Sequence, residues 1–123
     1  TTAHDTGTVL NHLTLTGQID GGVVTGVGFS LMEENPMVDG KIATANLGEA
    51  KLPCICDIPP LKTVLVESPT GPTPFGGKQI AENPNTPTAA AIANAIADAC
   101  DVRLFDLPLT AEKIYWGLQQ KGN

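Results

Sequence analysis

The chain has 123 residues, enough for one domain with one hydrophobic core. Hydrophobic residues make up 41%, but aromatics only 4% and charged residues 16%, and 13 Gly with 10 Pro weigh against a plain helical bundle. The net charge of −6 repels a phosphate backbone or an anionic membrane surface, and no uninterrupted run of about 18 apolar residues is present to span a bilayer.

His4 to Leu10 reads as a short strand or strand end, closing in Asn11-His12. From Leu13 to Met32 the period changes: Ile19, Val23, Val27 and Leu31 recur every four residues, one stripe of a helix. Glu33-Glu34-Asn35-Pro36 ends it, because proline cannot continue a helix and restricts the residue before it. The helix carries Gly17, Gly21, Gly22, Gly26 and Gly28, and each interior glycine costs roughly 1 kcal/mol relative to alanine. Close packing of another element, or close approach of a bulky ligand, has to offset that cost.

Residues 36–60 read as irregular, punctuated by Pro36, Gly40, Gly48, Pro53, Pro59 and Pro60. Leu61 to Glu67 is a strand built on Thr63, Val64, Leu65 and Val66. Residues 68–77 follow with three prolines and three glycines, a stiff and ordered loop of the kind that often carries function. Thr88 to Cys100 is an alanine-rich helix with Ile92, Ile96 and Cys100 at four-residue spacing, suited to burial between other elements. Val102 to Leu107 is a short strand candidate. Thr110 then caps a last helix, with Leu109 and Ile114 placed as a hydrophobic staple. Neither an internal repeat nor a domain boundary is visible, so residues 1–123 read as a single domain. Residue 1 is Thr and no signal-peptide pattern follows it, which reads as a piece of a longer chain.

Three cysteines, an odd number, point to a reducing, cytoplasmic compartment. Cys54 and Cys56 form C-x-C, without the gap of a zinc knuckle, and Cys100, His4 and His12 complete no ligand spacing. They read as small buried or partly buried thiols, and no metal ligands are assigned. Gly77-Lys78 does not close a phosphate loop: Pro72 stands six residues before Lys78 and Gln79 follows it. Gly26-x-Gly28 lacks its third glycine, and Ser30 is not in a nucleophile elbow. The informative stretch runs from Gly76 to Pro84, where Glu82 follows a glycine-rich loop and precedes the alanine-rich helix. A carboxylate held in a cramped, partly dry place can serve as a general base, while one at a helix start is also favoured simply by the helix dipole.

That stretch resembles the glycine-alanine-lysine-glycine-x-glycine-glutamate signature of the molybdenum hydroxylases, the xanthine dehydrogenase and aldehyde oxidase family. Other stretches match in order. His4 to Asn11 looks like the strand leading into that family's first C-terminal helix. Gly17 to Gly28 resembles its glycine-glutamine helix, followed by the acidic pair Glu33-Glu34. Leu52-Pro53 and Asp57-Ile58-Pro59 match the segment before a strand, and Ala89 to Ala99 with Leu107 to Thr110 match the closing helix and tail. The match is collinear over nearly the whole chain. Gln79 and Ala81 depart from it, standing where glycine is usual, which narrows the pocket or tilts the loop, and Ala50 stands where an aromatic is common.

The resemblance implies an α/β fold, three principal helices on a small mixed sheet, forming the C-terminal part of a molybdopterin-binding subunit. It implies that Glu82 is the catalytic base, deprotonating a hydroxide that attacks an electrophilic carbon of an aldehyde or N-heterocycle. It further implies that Gln18 lies against the pterin of a molybdenum-pterin cofactor, with Gly17 allowing the close contact. The rest of that cofactor's site, iron–sulfur clusters and FAD are expected on other segments or subunits, the chain's partners, and the isolated chain is expected to be inactive. Two other readings compete: a non-catalytic subunit-interaction module derived from this fold, and a small-molecule binding domain using residues 68–77 as a lid.

Overall fold

The computed structural model describes residues 1–68 and 70–121. Asn11 opens the first long element: its Oδ1 accepts the Thr14 backbone N–H at 3.1 Å, capping α1 (His12–Leu31). The helix ends where the Met32 and Glu33 N–H groups both donate to the Gly28 carbonyl, at 2.9 and 2.8 Å. Before α1 stands the strand β1 (Thr2–Asp5), which pairs in parallel with β4 (Thr63–Val66), Thr2 opposite Thr63 and Asp5 opposite Val66. Parallel neighbours need a long crossover, and α1 belongs to it. Both strands are shorter than the sequence implies. β1 stops at Asp5 because Gly7 turns the chain with φ +57°, and β4 keeps only the four residues that find partners.

The region 36–60 is less irregular than expected. Met37–Val38 (β2) and Lys41–Ile42 (β3) form an antiparallel hairpin closed by Asp39-Gly40, both at positive φ, the demand of a two-residue type I′ turn. Among the described residues the parallel and antiparallel pairings therefore fall into two separate two-stranded sheets, accompanied by three helices, a mixed α/β arrangement. Cys54, which begins a short 3-10 turn (Ile55–Asp57), and Cys56 within it are exposed and free, contrary to the expectation of buried thiols, because the turn runs along the surface.

The helix α2 (Thr88–Cys100) has the expected bounds but not the expected burial. Thr88 is its one buried residue; Ala90 and Ala99 are exposed, and so are Ala91 and Ala95, which line an open cavity between α2 and α1. Val102 to Leu107 forms no strand: among the described residues no strand runs beside it to pair with. Val102 is instead buried under α3 (Ala111–Lys121), where Gly117 leaves it room. Thr110 caps α3, its Oγ1 accepting the Lys113 N–H at 3.3 Å. The core is small, with Ile19, Val27, Ala50, Val102 and Leu109 buried, and Leu109 N–H donates to the Ser30 carbonyl at 2.6 Å.

Candidate functional site

The register between α1 and residues 81–88 sets the site. Gln18, Gly22 and Gly26 are four residues apart on α1 and share one side of it. Gln18 Nε2 donates to the Ala81 carbonyl at 3.2 Å. A Cβ on Gly22 would sit 2.9 Å from Pro84 Cβ, and one on Gly26 would sit 2.5 Å from Thr88 Cβ. Those two glycines are therefore consumed by packing, the ordinary reason for glycine in a helix. Gly28 is likewise enclosed, by Glu33 and Pro53. Gly17 and Gly21 differ: a Cβ at either would meet nothing within 4 Å.

Glu82 follows directly on the residue that Gln18 holds. Its carbonyl accepts the Asn85 N–H at 3.0 Å, the Asn85 carbonyl accepts the Thr88 N–H at 3.2 Å, and the chain so turns into α2. The Ala81 N–H donates to Asn83 Oδ1 at 3.1 Å, tightening the same turn. Gln18 and Glu82 thus come together as neighbours across one hydrogen bond, with Gly17 one residue before Gln18. The dry pocket expected around Glu82 is not formed by this chain, whose Glu82, Gln18 and Gly17 are all exposed. The signature loop runs along the outer side of α1, and no described segment covers it. Gln79 and Ala81 both avoid the left-handed backbone region, so side chains there carry no strain of that kind.

Upstream, the loop is stitched to the end of β1. The Lys78 N–H donates to the Thr6 carbonyl at 2.8 Å and the Thr8 N–H to the Gly76 carbonyl at 3.0 Å, around a Gly7–Gly77 bridge. Lys78 Nζ lies 2.5 Å from Asp5 Oδ2. The Lys78 ammonium, and after it the Gly7 N–H at 3.2 Å from Oδ1, hold the Asp5 carboxyl below the usual carboxylate range. Phe75, at the tip of the 3-10 turn Pro74–Gly76, has φ +65° and is 82% exposed. A groove of about 660 Å³ runs past Asn11, Thr14, Gln18, Phe75, Gln79 and Ile80, and Glu82 does not line it. A second cavity of about 600 Å³ lies between α1 and α2, against Val23, Val27 and Leu31, on the side of α1 opposite Gln18. Among the described residues no group of three or more His, Cys, Asp or Glu could hold a metal ion. Sequence reasoning missed the Asp5–Lys78 pair and the Gln18–Gly22–Gly26 register. The four-residue spacing was a signal for the second, while the first joins residues far apart in sequence.

The sequence profile of the molybdopterin cofactor-binding domain matches residues 1–59, which include Gly17 and Gln18 and stop before Glu82. The chain is 38% identical over 115 residues to the xanthine dehydrogenase molybdenum-binding subunit of Escherichia coli O157:H7, covering 91% of this chain and 15% of that protein. It is 32% identical over 114 residues to the nicotine 6-hydroxylase large subunit of Paenarthrobacter nicotinovorans, covering 89% and 14%. Among solved structures, the aldehyde oxidoreductase from Desulfovibrio gigas superposes with a TM-score of 0.86 at 38% identity, over 95% of this chain and 13% of that one. The chain belongs to the molybdenum hydroxylase family. It spans only about a seventh of the length of these relatives. Open space at Gly17 and Gly21 admits a large group beside α1, and the Gln18 amide has donor and acceptor capacity beyond its one bond to Ala81. The residues fit such a group along one side of the helix.

Proposed function

We propose that this chain forms one wall of the active site in a molybdenum hydroxylase that oxidises an aldehyde or an N-heterocycle with water as the oxygen source. The observation that carries the reading is the Gln18–Ala81 bond, which seats Glu82 beside the glycine-glutamine segment of α1. Glu82 acts as general base, taking a proton at a carboxylate oxygen from the oxygen nucleophile. When bound, the molybdenum–pterin group supplies the two-electron oxidation. Gln18 has two tasks: one amide hydrogen fixes the backbone at Ala81, and the rest of the amide meets the pterin, with Gly17 leaving space for that approach. Further segments of the protein complete the cofactor site and cover Glu82, excluding the water that now reaches it. Iron–sulfur and FAD-carrying partners receive the electrons. The relatives' printed names, which include xanthine, aldehyde and nicotine as substrates, support this substrate range, and no described helix is long and apolar enough to cross a membrane. A cytoplasmic location and a single domain over residues 1–123 belong to the same reading.

The test is Glu82→Gln in the complete enzyme. Turnover should fall by roughly two to four orders of magnitude, the span of general-base effects, with molybdenum per chain unchanged. Near-normal turnover at full molybdenum content would remove Glu82 from the reaction. The interaction-module reading draws on a specific observation, the exposed Leu13, Ile55, Phe105 and Trp116, which a neighbouring body would cover. Molybdenum absent from every preparation of the full assembly would favour it.

A further inference from the structure

We propose that the Asp5–Lys78 ion pair is a positioning device for Glu82, acting through the backbone of the signature loop. The proposal rests on the reading of Glu82 as the base. Lys78 is tied at both ends: its N–H donates to the Thr6 carbonyl at 2.8 Å, and its Nζ reaches Asp5 Oδ2 at 2.5 Å. The Asp5 carboxylate is committed in the same way, its Oδ1 accepting the Gly7 N–H at 3.2 Å and so shaping the Thr6–Thr8 turn to which the loop is stitched. The second fixed point is the Ala81 carbonyl, held by Gln18. Only Gln79 and Ile80 lie between the two fixed points, and Glu82 follows the second directly. Lys78 and Ala81 are three residue steps apart, at most about 11 Å when extended, so the segment that delivers Glu82 is short.

The side chains of Lys78 and Asp5 are 28% and 44% exposed. A pair this open to solvent contributes little to overall stability. Catalytic geometry is a more sensitive reporter, because a displacement of about 1 Å at a reacting group can cost on the order of a hundredfold in rate. The pair should therefore show itself in turnover and in local order of the loop rather than in melting temperature. Lys78 and Asp5 are positioning residues here: neither is placed against the reacting atoms.

The experiment uses the complete enzyme with Lys78→Met, Asp5→Asn, the double variant, and Lys78→Arg as the conservative rescue. Steady-state kcat and KM, molybdenum per chain and amide hydrogen exchange over residues 78–82 are measured together. The expected result is a kcat lowered about tenfold in each single variant, with KM within about twofold and molybdenum unchanged. Exchange over residues 78–82 should quicken about tenfold, the double variant should be no worse than either single one, and Lys78→Arg should recover most of the loss. Lys51→Gln, which breaks the Lys51–Glu34 pair (3.5 Å) elsewhere on the surface, should change none of these. Unchanged kcat and exchange in Lys78→Met would overturn the proposal, as would a kcat loss that merely tracks lost molybdenum. Should Glu82→Gln retain turnover while Lys78→Met still loosens residues 78–82, the base assignment fails and the loop-ordering claim stands, so the two failures are distinguishable.

Discussion

On one side of α1 Gly22 and Gly26 give up side chains, and Pro84 and Thr88 settle against the backbone, whereas about 100° round the same helix Gly17 and Gly21 face open space. The same residue type, in one helix, at similar conformational cost, answers two different needs. Around Gly26 the chain closes on itself, with Val27 and Ser30 buried close by. Around Gly17 no described residue takes up the room, and polar Gln18 and apolar Leu13 stand exposed beside it. Glycine count alone does not separate packing from ligand access. What a Cβ would strike does.

Substitutions that fill these positions sharpen the contrast. The largest effect on folding belongs to Gly26→Ala, whose new methyl would lie 2.5 Å from Thr88 Cβ and 2.8 Å from Thr88 Cγ2. Overpacking of this kind costs about 1–3 kcal/mol, to be seen as a lowered melting temperature of the complete enzyme. Gly17→Ala should act in the opposite direction within the chain, gaining up to about 1 kcal/mol of helix propensity. If the open side of α1 receives the cofactor, the same change should lower molybdenum per chain while leaving the melting temperature of the cofactor-free protein unchanged or raised. Equal and unchanged molybdenum content in Gly17→Ala and the larger Gly17→Leu would break the comparison.

A smaller effect is expected from acid. The Asp5 carboxyl titrates below its ordinary value of about 3.9 because of Lys78 and the Gly7 N–H. A depressed folded-state value means that the stabilising link is fully present above that ordinary value, and is lost only as pH falls through the lower, folded-state one. The carboxyl resonance of Asp5 should therefore show a midpoint below that of an unstructured Asp, and Lys78→Met should move it back upward. An Asp5 midpoint indifferent to Lys78→Met would mean that the pair does not exist in solution.

The long helix, the bounds of α2 and the Thr110 cap were legible because each rests on local rules of period, alanine content and capping. The hairpin at Asp39-Gly40 was equally local but went unread, although Asp-Gly is a strong turn signal. The strand proposed at residues 102–107 failed for a different reason. Strand formation depends on a partner edge, which apolar content does not reveal, and Val102 found its burial under Gly117 instead. At the site, Gly17, Gln18 and Glu82 could be named from the family signature, but the bond that brings Gln18 to Ala81 joins residues 63 apart. The exposure of Glu82 was illegible for a related reason. Whether a carboxylate is dry depends on everything that surrounds it, and among the described residues nothing encloses Glu82.

The most direct test of the account is to locate molybdenum by anomalous scattering in crystals of the complete enzyme. The peak should lie on the Gln18 side of α1, facing open Gly17, with the Glu82 carboxylate directed toward it. A peak on the opposite side of the helix, against Val23 and Val27, with Glu82 turned away into solvent, would contradict it.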